Sequence, residues 1–233
     1  LVDNSTSVAS RHPSEHVRAR RAVVGRDDDE GGAGLPGPVK LARMTTNEFK
    51  ELRAKARSSA ARAAQREMAE ISNQMEYDDE VAYHATRKVY DLGRRLDDRP
   101  WCLTVSFTHP HDPYVARRKY WDLYEDCDRL MPEVGDLGYE NQDPHSKRIF
   151  DANNWREFDI TEEDIRRSRR AYFANISYID DKIGEVMEAL RGTRQEEETI
   201  ILFVSDHGDM LGERGLWFKM SFYEGSARVP FMI

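Results

Sequence analysis

Two apolar runs on either side of one long helical stretch restrict the fold of this 233-residue chain more than any other feature. Residues 101–107 (WCLTVSF) and 199–205 (TIILFVS) are rich in β-branched and aromatic side chains, which predicts two buried strands. The helical stretch begins at Thr161 and ends at Gly192. The order strand, long helix, strand is typical of an α/β unit with a parallel sheet.

The helical stretch carries its own start and stop signals. The Thr161 hydroxyl can cap the helix, and Asp164 lies at the capping-box position three residues later. Gly192 supplies the stop. Apolar residues recur at helical spacing and predict one buried stripe; they are Ile165, Tyr172, Ile176, Ile179, Ile183, Met187 and Leu190.

The first 66 residues differ in composition from the rest. They hold 13 Lys and Arg against 8 Asp and Glu, whereas the whole chain has a net charge of −8. Large apolar side chains are few in residues 1–43, so residues 1–66 are predicted to be a disordered or loosely helical segment, with helix favoured over residues 45–73. A further helix is predicted over residues 79–96. A third strand begins at Arg228 and the chain stops inside it, which we interpret as truncation.

The sequence argues against a membrane-spanning protein and against a disulfide-rich protein. No run approaches the roughly 20 apolar residues of a membrane span, and the first ten residues lack the order of a secretory signal. Cys102 and Cys127 give neither a disulfide framework nor metal-type spacing. We therefore expect a cytoplasmic protein with no membrane partner.

Polar side chains follow both predicted strands. His109 and His111 come after the first strand, Asp206 and His207 after the second, and Lys219 one glycine-rich loop later. Open α/β sheets bind ligands at the carboxyl ends of their strands, so these side chains are expected to converge. A carboxylate and an imidazole suit a divalent cation, and His with Lys suits an oxyanion. From the residues alone, a metal-assisted anion site and ordinary structural roles both stay open.

Three segments resemble motifs of the sulfatases in the alkaline-phosphatase superfamily, and they follow one another along the chain in the order of the family. Residues 203–213 (FVSDHGDMLGE) resemble the second metal-binding motif, and residues 170–184 (RAYFANISYIDDKIG) resemble the long helix. Residues 106–114 (SFTHPHDPY) resemble the substrate-histidine motif in its choline-sulfatase form. The resemblance implies that residues 67–233 are a partial sulfatase catalytic domain. The implied fold is α/β, part of an alkaline-phosphatase-like sandwich with a mostly parallel central sheet flanked by helices.

The resemblance also implies a role for each candidate residue. Asp206 and His207 match metal ligands, His111 and Lys219 match catalytic contacts to the sulfate, and His109 matches a further substrate-binding position. The implied cation is Ca²⁺ or Mg²⁺, with Mn²⁺ as a rival because imidazole nitrogen suits transition metals. The implied substrate is a small-molecule sulfate ester such as choline sulfate.

The nucleophile of the resembled family has no counterpart in the sequence. Sulfatases use a formylglycine made from the first residue of a Cys/Ser-x-Pro-x-Arg motif, and neither Cys102, Cys127 nor any serine begins such a motif. The paired aspartates of the family's first strand are unmatched too, because residues 27–29 follow no apolar run. We therefore expect the chain alone to be inactive.

Other classes of function stay open at this point. A phosphonate or phosphodiester hydrolase of the same superfamily shares the Asp-His-Gly turn, and a non-catalytic remnant would explain the missing nucleophile. A basic arm at residues 1–66 raises nucleic-acid binding, but a solvated segment explains it better, so no nucleic-acid partner is expected. A full-length protein could be homo-oligomeric.

Overall fold

The structure, a computed structural model, describes residues 5–10, 22–23 and 71–233, apart from residues 98, 126, 128 and 129. The helices are α1 (Asn73–Gly93), α2 (Arg118–Trp121), α3 (Pro144–Asn153), α4 (Glu162–Gly192) and α5 (Glu224–Ala227). The strands are β1 (Ser5–Ser10), β2 (Ala22–Val23), β3 (Cys102–Ser106), β4 (Thr199–Val204) and β5 (Phe231–Met232). Short 3₁₀ turns lie at Asp122–Tyr124, Tyr139–Asn141, Trp155–Glu157, Glu196–Glu198 and Glu213–Gly215.

The five strands form one sheet in the order β2-β3-β1-β4-β5. Strand β1 pairs antiparallel with both β3 and β4, so these two strands run in the same direction, as predicted. They do not bond to each other, because β1 lies between them and satisfies the backbone groups of both. The pair β2–β3 is parallel and the pair β4–β5 is antiparallel. The described sheet is therefore mixed, where the sequence had suggested a mostly parallel one.

Helix boundaries follow the capping chemistry. Helix α4 begins after Thr161, whose hydroxyl accepts from the Asp164 backbone while the Asp164 carboxylate accepts from Thr161, so the predicted capping box is present. Helix α1 begins six residues earlier than predicted, because the Ser72 side chain accepts from the Met75 backbone and caps it. The helix predicted over residues 45–73 lies outside the described residues except at its last three positions.

The core lies between the sheet and the pair of helices α1 and α4. Strand β3 contributes Leu103 and Val105, while helix α1 contributes Ala82, Ala85 and Val89. All are buried. This packing fixes the direction in which β3 delivers the segment that follows it.

The buried face of α4 differs from the predicted stripe at one clear position. Ile176 is 45% exposed, whereas Ala171, Ala174 and Tyr178 are buried. Small side chains let a neighbouring helix approach closely, so the contact line runs along the alanines and leaves Ile176 outside it. The other stripe residues are buried or partly buried against the core.

Little of residues 1–66 is described beyond β1 and β2, and the prediction of a disordered or loosely helical segment stays a prediction. Strands at Ser5–Ser10 and Ala22–Val23 were not foreseen. None of the helices in the described ranges has both the length and the apolarity needed to cross a bilayer.

Candidate active site

His111 lies in the segment that follows β3 and turns away from the sheet at Pro110 and Pro113. Its Nδ1 is 2.8 Å from the Asp112 carbonyl oxygen, so this nitrogen carries the proton and donates it. The Nε2 atom is then an acceptor, and the ammonium group of Lys219 donates to it. The His111 side chain is about one quarter exposed, at 27%, so solvent reaches this pair.

Lys219 presents an ammonium group that is not neutralised by a carboxylate. In the part of the chain that the structure describes, its Nζ atom contacts His111 and forms no ion pair. Its backbone is fixed from behind, because the hydroxyl of the buried Ser226 donates to the Lys219 carbonyl oxygen. Among the described residues no carboxylate competes with an external anion for this partly buried ammonium group.

The turn after β4 presents Asp206 and His207 together. The His207 Nδ1 lies 2.8 Å from the Gly208 carbonyl oxygen and donates to it, which leaves the Nε2 lone pair free. That Nε2 atom is buried, has no hydrogen-bond partner among the residues that the structure describes, and lies 3.6 Å from Asp206 Oδ2. The His207 backbone N–H also donates to Asp206 Oδ1 over 2.9 Å, so the two side chains keep a fixed relation.

The two strand ends meet. The ring centroids of His111 and His207 are 6.3 Å apart, so the segment after β3 and the turn after β4 face each other. Four of the five residues singled out in the sequence therefore converge: His111, Asp206, His207 and Lys219. Their chemistry combines an ammonium group and an adjacent imidazole for an oxyanion with a carboxylate and a second imidazole nitrogen for a metal ion.

His109, the fifth residue, lies elsewhere. Its side chain is fully buried, with Nδ1 2.6 Å from Asp78 Oδ2 on helix α1. Asp78 also accepts the backbone N–H groups of Thr108 over 2.7 Å and of His109 over 3.0 Å. The ring packs edge-on against Tyr178 with 5.3 Å between centroids. The predicted substrate contact is thus not supported, because His109 faces the core and anchors its loop there.

Comparison with known proteins decides the family. The family model described as Sulfatase matches residues 38–233, most of the chain. The chain belongs to the sulfatase family. The match begins at residue 38, so it reaches further toward the N-terminus than the motifs from residue 67 onward had indicated.

Individual sulfatase relatives point to the same branch as the sequence motifs. Choline-sulfatase of Rhizobium meliloti (strain 1021) is 68% identical over 169 residues, covering 71% of this chain and 33% of that protein. Arylsulfatase of Clostridium perfringens (strain 13 / Type A) is 40% identical over 143 residues, covering 61% and 29%. This sulfatase chain thus spans about a third of the length of the curated relatives it matches. The predicted resemblance to choline sulfatases is confirmed.

The fold class is confirmed by a solved structure. The crystal structure of phosphonate monoester hydrolase of Agrobacterium radiobacter superposes with a TM-score of 0.51 at 26% sequence identity, covering 65% of this chain and 32% of that one. The described helices and mixed sheet are therefore a part of the sulfatase fold.

The metal expected for a sulfatase fits the turn after β4 in part. The unpartnered, buried Nε2 of His207 is a ready nitrogen ligand, and Asp206 supplies a carboxylate beside it. A Ca²⁺ or Mg²⁺ ion takes about six or more ligands. Among the described residues no group of three or more His, Cys, Asp and Glu side chains could hold a metal ion. Asp206 and His207 would therefore supply part of a coordination sphere that other groups must complete.

Asp209 was missed in the sequence, although it lies inside the sulfatase motif. Its Oδ1 accepts from the backbone N–H groups of Leu211 (3.0 Å) and Phe218 (3.1 Å), and its Oδ2 accepts from the Tyr114 hydroxyl (2.7 Å). Burial raises the pKa of Asp209 to about 6, although these three hydrogen bonds oppose the shift. Burial, followed by the charge of Asp209, raises the pKa of Tyr114, so Tyr114 remains a donor.

Gly208 shapes the same turn. A side chain at this position would place a Cβ atom 2.1 Å from the Gly225 carbonyl oxygen, so only glycine fits. The Gly208 N–H donates to the Ser226 carbonyl oxygen over 2.8 Å, which holds the turn against helix α5. The close backbone approach therefore fixes where Asp206 and His207 point.

Tyr114 and Trp217 lie near the site in sequence but not on its surface. Both are buried, and their ring centroids are 6.4 Å apart within the core. They pack behind the loops that carry the site residues and do not line the site.

Proposed function

We propose that this chain supplies the cation-binding and oxyanion-binding part of a sulfuric ester hydrolase of the choline-sulfatase type. The observation that carries the proposal is the contact between His111 and Lys219 beside the Asp206–His207 turn. The Lys219 ammonium group, which forms no ion pair among the described residues, and the adjacent His111 imidazole suit the oxygens of a sulfate group. The similarity to choline-sulfatase over 71% of the chain supports a small-molecule sulfate ester as the substrate.

The residues have distinct tasks in this proposal. The Lys219 ammonium and the His111 imidazole donate to sulfate oxygens, where negative charge grows as the ester bond breaks; removal of one such donor typically costs about 10²–10³ in rate. For His111 to donate from Nε2 it must gain a proton, and Asp112 lies within reach of the other ring nitrogen to stabilise the charged ring. Asp206 and His207 would hold the cation, which supplies Lewis-acid polarisation of the ester when bound.

The cation is proposed to be Ca²⁺ or Mg²⁺, with Mn²⁺ as the rival. Oxygen ligands such as Asp206 suit the first two, whereas the free imidazole nitrogen of His207 favours a transition metal. The formylglycine nucleophile used by the family is a further requirement, and this chain has no motif from which to make it. We therefore propose that the chain does not turn over sulfate esters unless a nucleophile is supplied by additional sequence.

Binding measurements test the site in the protein itself. Calorimetric titration with sodium sulfate should give an affinity that falls by about 10- to 100-fold in Lys219→Ala, since hydrogen bonds to charged groups contribute that much. Lys88→Ala, which removes an exposed lysine of helix α1, should bind as the wild type does. Equal sulfate affinity in both variants would refute the oxyanion site.

Metal titration tests the other half of the site. Mn²⁺ affinity should fall in Asp206→Ala and in His207→Ala by more than the roughly 10- to 100-fold that loss of an outer-sphere partner costs. His84→Ala removes an exposed helix histidine and serves as the control. Unchanged Mn²⁺ affinity in both site variants would count against these ligands.

A phosphonate or phosphodiester hydrolase is the second candidate, because the phosphonate monoester hydrolase of Agrobacterium radiobacter shares the fold. Rates on choline sulfate, an aryl sulfate and a phosphodiester, measured in a protein that joins this chain to a formylglycine segment, separate the two. We expect the highest kcat/KM on choline sulfate. A non-catalytic remnant predicts no hydrolysis of any of the three.

We also propose a location and an assembly state. A cytoplasmic protein fits two cysteines that are both free thiols in the structure. Homo-oligomer formation is proposed for a full-length protein, and light scattering on that protein tests it.

A further inference from the structure

A single buried carboxylate links the two segments that carry His111 and Lys219. Asp209 accepts the Tyr114 hydroxyl on one oxygen and the backbone N–H groups of Leu211 and Phe218 on the other. Tyr114 lies three residues after His111, and Phe218 lies directly before Lys219. The link therefore joins the two segments within three residues of both donors.

The segment that carries His111 is held at its other side as well. Asp78 accepts the backbone N–H groups of Thr108 and His109, which precede His111. The Gln74 side chain adds a bond of 2.9 Å to the Asp112 carbonyl oxygen, so these contacts hold the segment against helix α1. The Tyr114–Asp209 bond of 2.7 Å instead reaches the loop that bears Lys219.

Filling space does not account for Asp209. A buried carboxylate without a cation is costly, and an apolar side chain would fill the same volume without that cost. Because its three hydrogen-bond donors come from segments that are distant in sequence, this carboxylate instead connects those segments in a fixed geometry.

We propose that Asp209 and Tyr114 are positioning residues that set the spacing of His111 and Lys219 for one oxyanion. The expected effect on catalysis rests on the proposed function, whereas the link itself can be tested without any enzymatic assay. Neither residue contacts the substrate; both act through the two donors.

The first test reads the placement of Lys219 directly. Limited acetylation with acetic anhydride, followed by mass spectrometry, gives the labelling rate of Lys219 relative to that of the exposed Lys88. In Tyr114→Phe, which removes the bonding hydroxyl and keeps the ring, this ratio should rise about three- to tenfold. Tyr172→Phe is the matched control, since Tyr172 packs edge-on against Tyr114 at 6.1 Å and is not among the three donors to Asp209.

A second pair of variants covers the case in which Tyr114→Phe does not fold. Asp209→Asn keeps an oxygen for both backbone N–H groups, and its NH2 group can donate to the Tyr114 hydroxyl, so the link is retained and the Lys219 ratio should stay within about twofold of the wild type. Asp209→Ala removes every acceptor and should raise the ratio at least as much as Tyr114→Phe. A wild-type ratio in either Tyr114→Phe or Asp209→Ala overturns the proposal.

The functional consequence is measured in a protein that carries this chain with a formylglycine segment. Tyr114→Phe should lower kcat on choline sulfate about tenfold or more, with a smaller change in KM, because misplaced donors lose mainly transition-state contacts. Tyr172→Phe should retain kcat, and matching melting temperatures for the two variants would exclude general loosening. If the wild type hydrolyses no sulfate ester, the proposed function fails, while the labelling result still decides whether the link positions Lys219.

Discussion

Replacement of Asp209 by asparagine is expected to change how stability depends on pH. The pKa of Asp209 is raised from 3.8 to about 6 in the folded protein by burial, whereas the unfolded chain retains the ordinary value. Between these values the folded state binds the additional proton, so its stability falls as pH rises through this range. A pKa shift of this size lowers the free energy of unfolding by about 3 kcal/mol, and the full decrease applies only above pH ~7.

The measurement compares wild type with Asp209→Asn by urea unfolding, with EDTA present to exclude bound metal. Asparagine retains an oxygen for the Leu211 and Phe218 N–H groups and carries no charge. The difference in unfolding free energy should move in favour of the variant by about 2 kcal/mol between pH 4.5 and pH 7.5. Other titrating groups cancel in this difference. A pH-independent difference would refute the assignment of Asp209 as a buried group with a raised pKa.

Two further predictions concern the backbone around the site. Asp78→Ala removes the acceptor for His109 and for two backbone N–H groups, and should lower the unfolding free energy by about 3–5 kcal/mol; a loss below about 1 kcal/mol in urea unfolding would contradict the anchoring role. Gly208→Ala forces the turn away from Gly225 and should weaken Mn²⁺ binding. The control is Gly184→Ala in helix α4, where an added Cβ meets nothing within 4 Å. This control should raise the unfolding free energy by about 0.5–1 kcal/mol and leave Mn²⁺ binding unchanged. Equal Mn²⁺ affinity in the two glycine variants would show that the close approach does not set the ligand geometry.

The regular elements were predictable because their signals are local. The β-branched runs gave β3 and β4 to within about two residues, an error normal for strand ends. The capping box at Thr161 gave the start of helix α4. Strand β1 was not predictable, since its pairing with β3 and β4 depends on partners about 100 or more residues away in the sequence.

The sequence indicated the motif residues of the candidate site but not Asp78 and Asp209, the buried carboxylates that support it. His109 and His111 are two residues apart, and the sequence does not show which of the two faces the core. One signal was present: Asp78 lies on the same helical face as the buried Val81 and Ala82, so a carboxylate on an apolar face needed a partner. Its partner, the loop after β3, became apparent only with the tertiary packing.

The supports explain why Lys219 is left available for an anion. The site region holds several carboxylates, and any of them could have paired with the lysine. Asp78 and Asp209 are instead buried and occupied by backbone and side-chain donors, while Asp206 faces His207. Negative charge is thereby directed to the cation side and the interior, and Asp112 Oδ1 lies 3.1 Å from the far ring nitrogen of His111, so that among the described residues the Lys219 ammonium group is left without an ion pair. Such a separation favours an anion bound between a metal ion and an ammonium group, as the proposed sulfate site supposes.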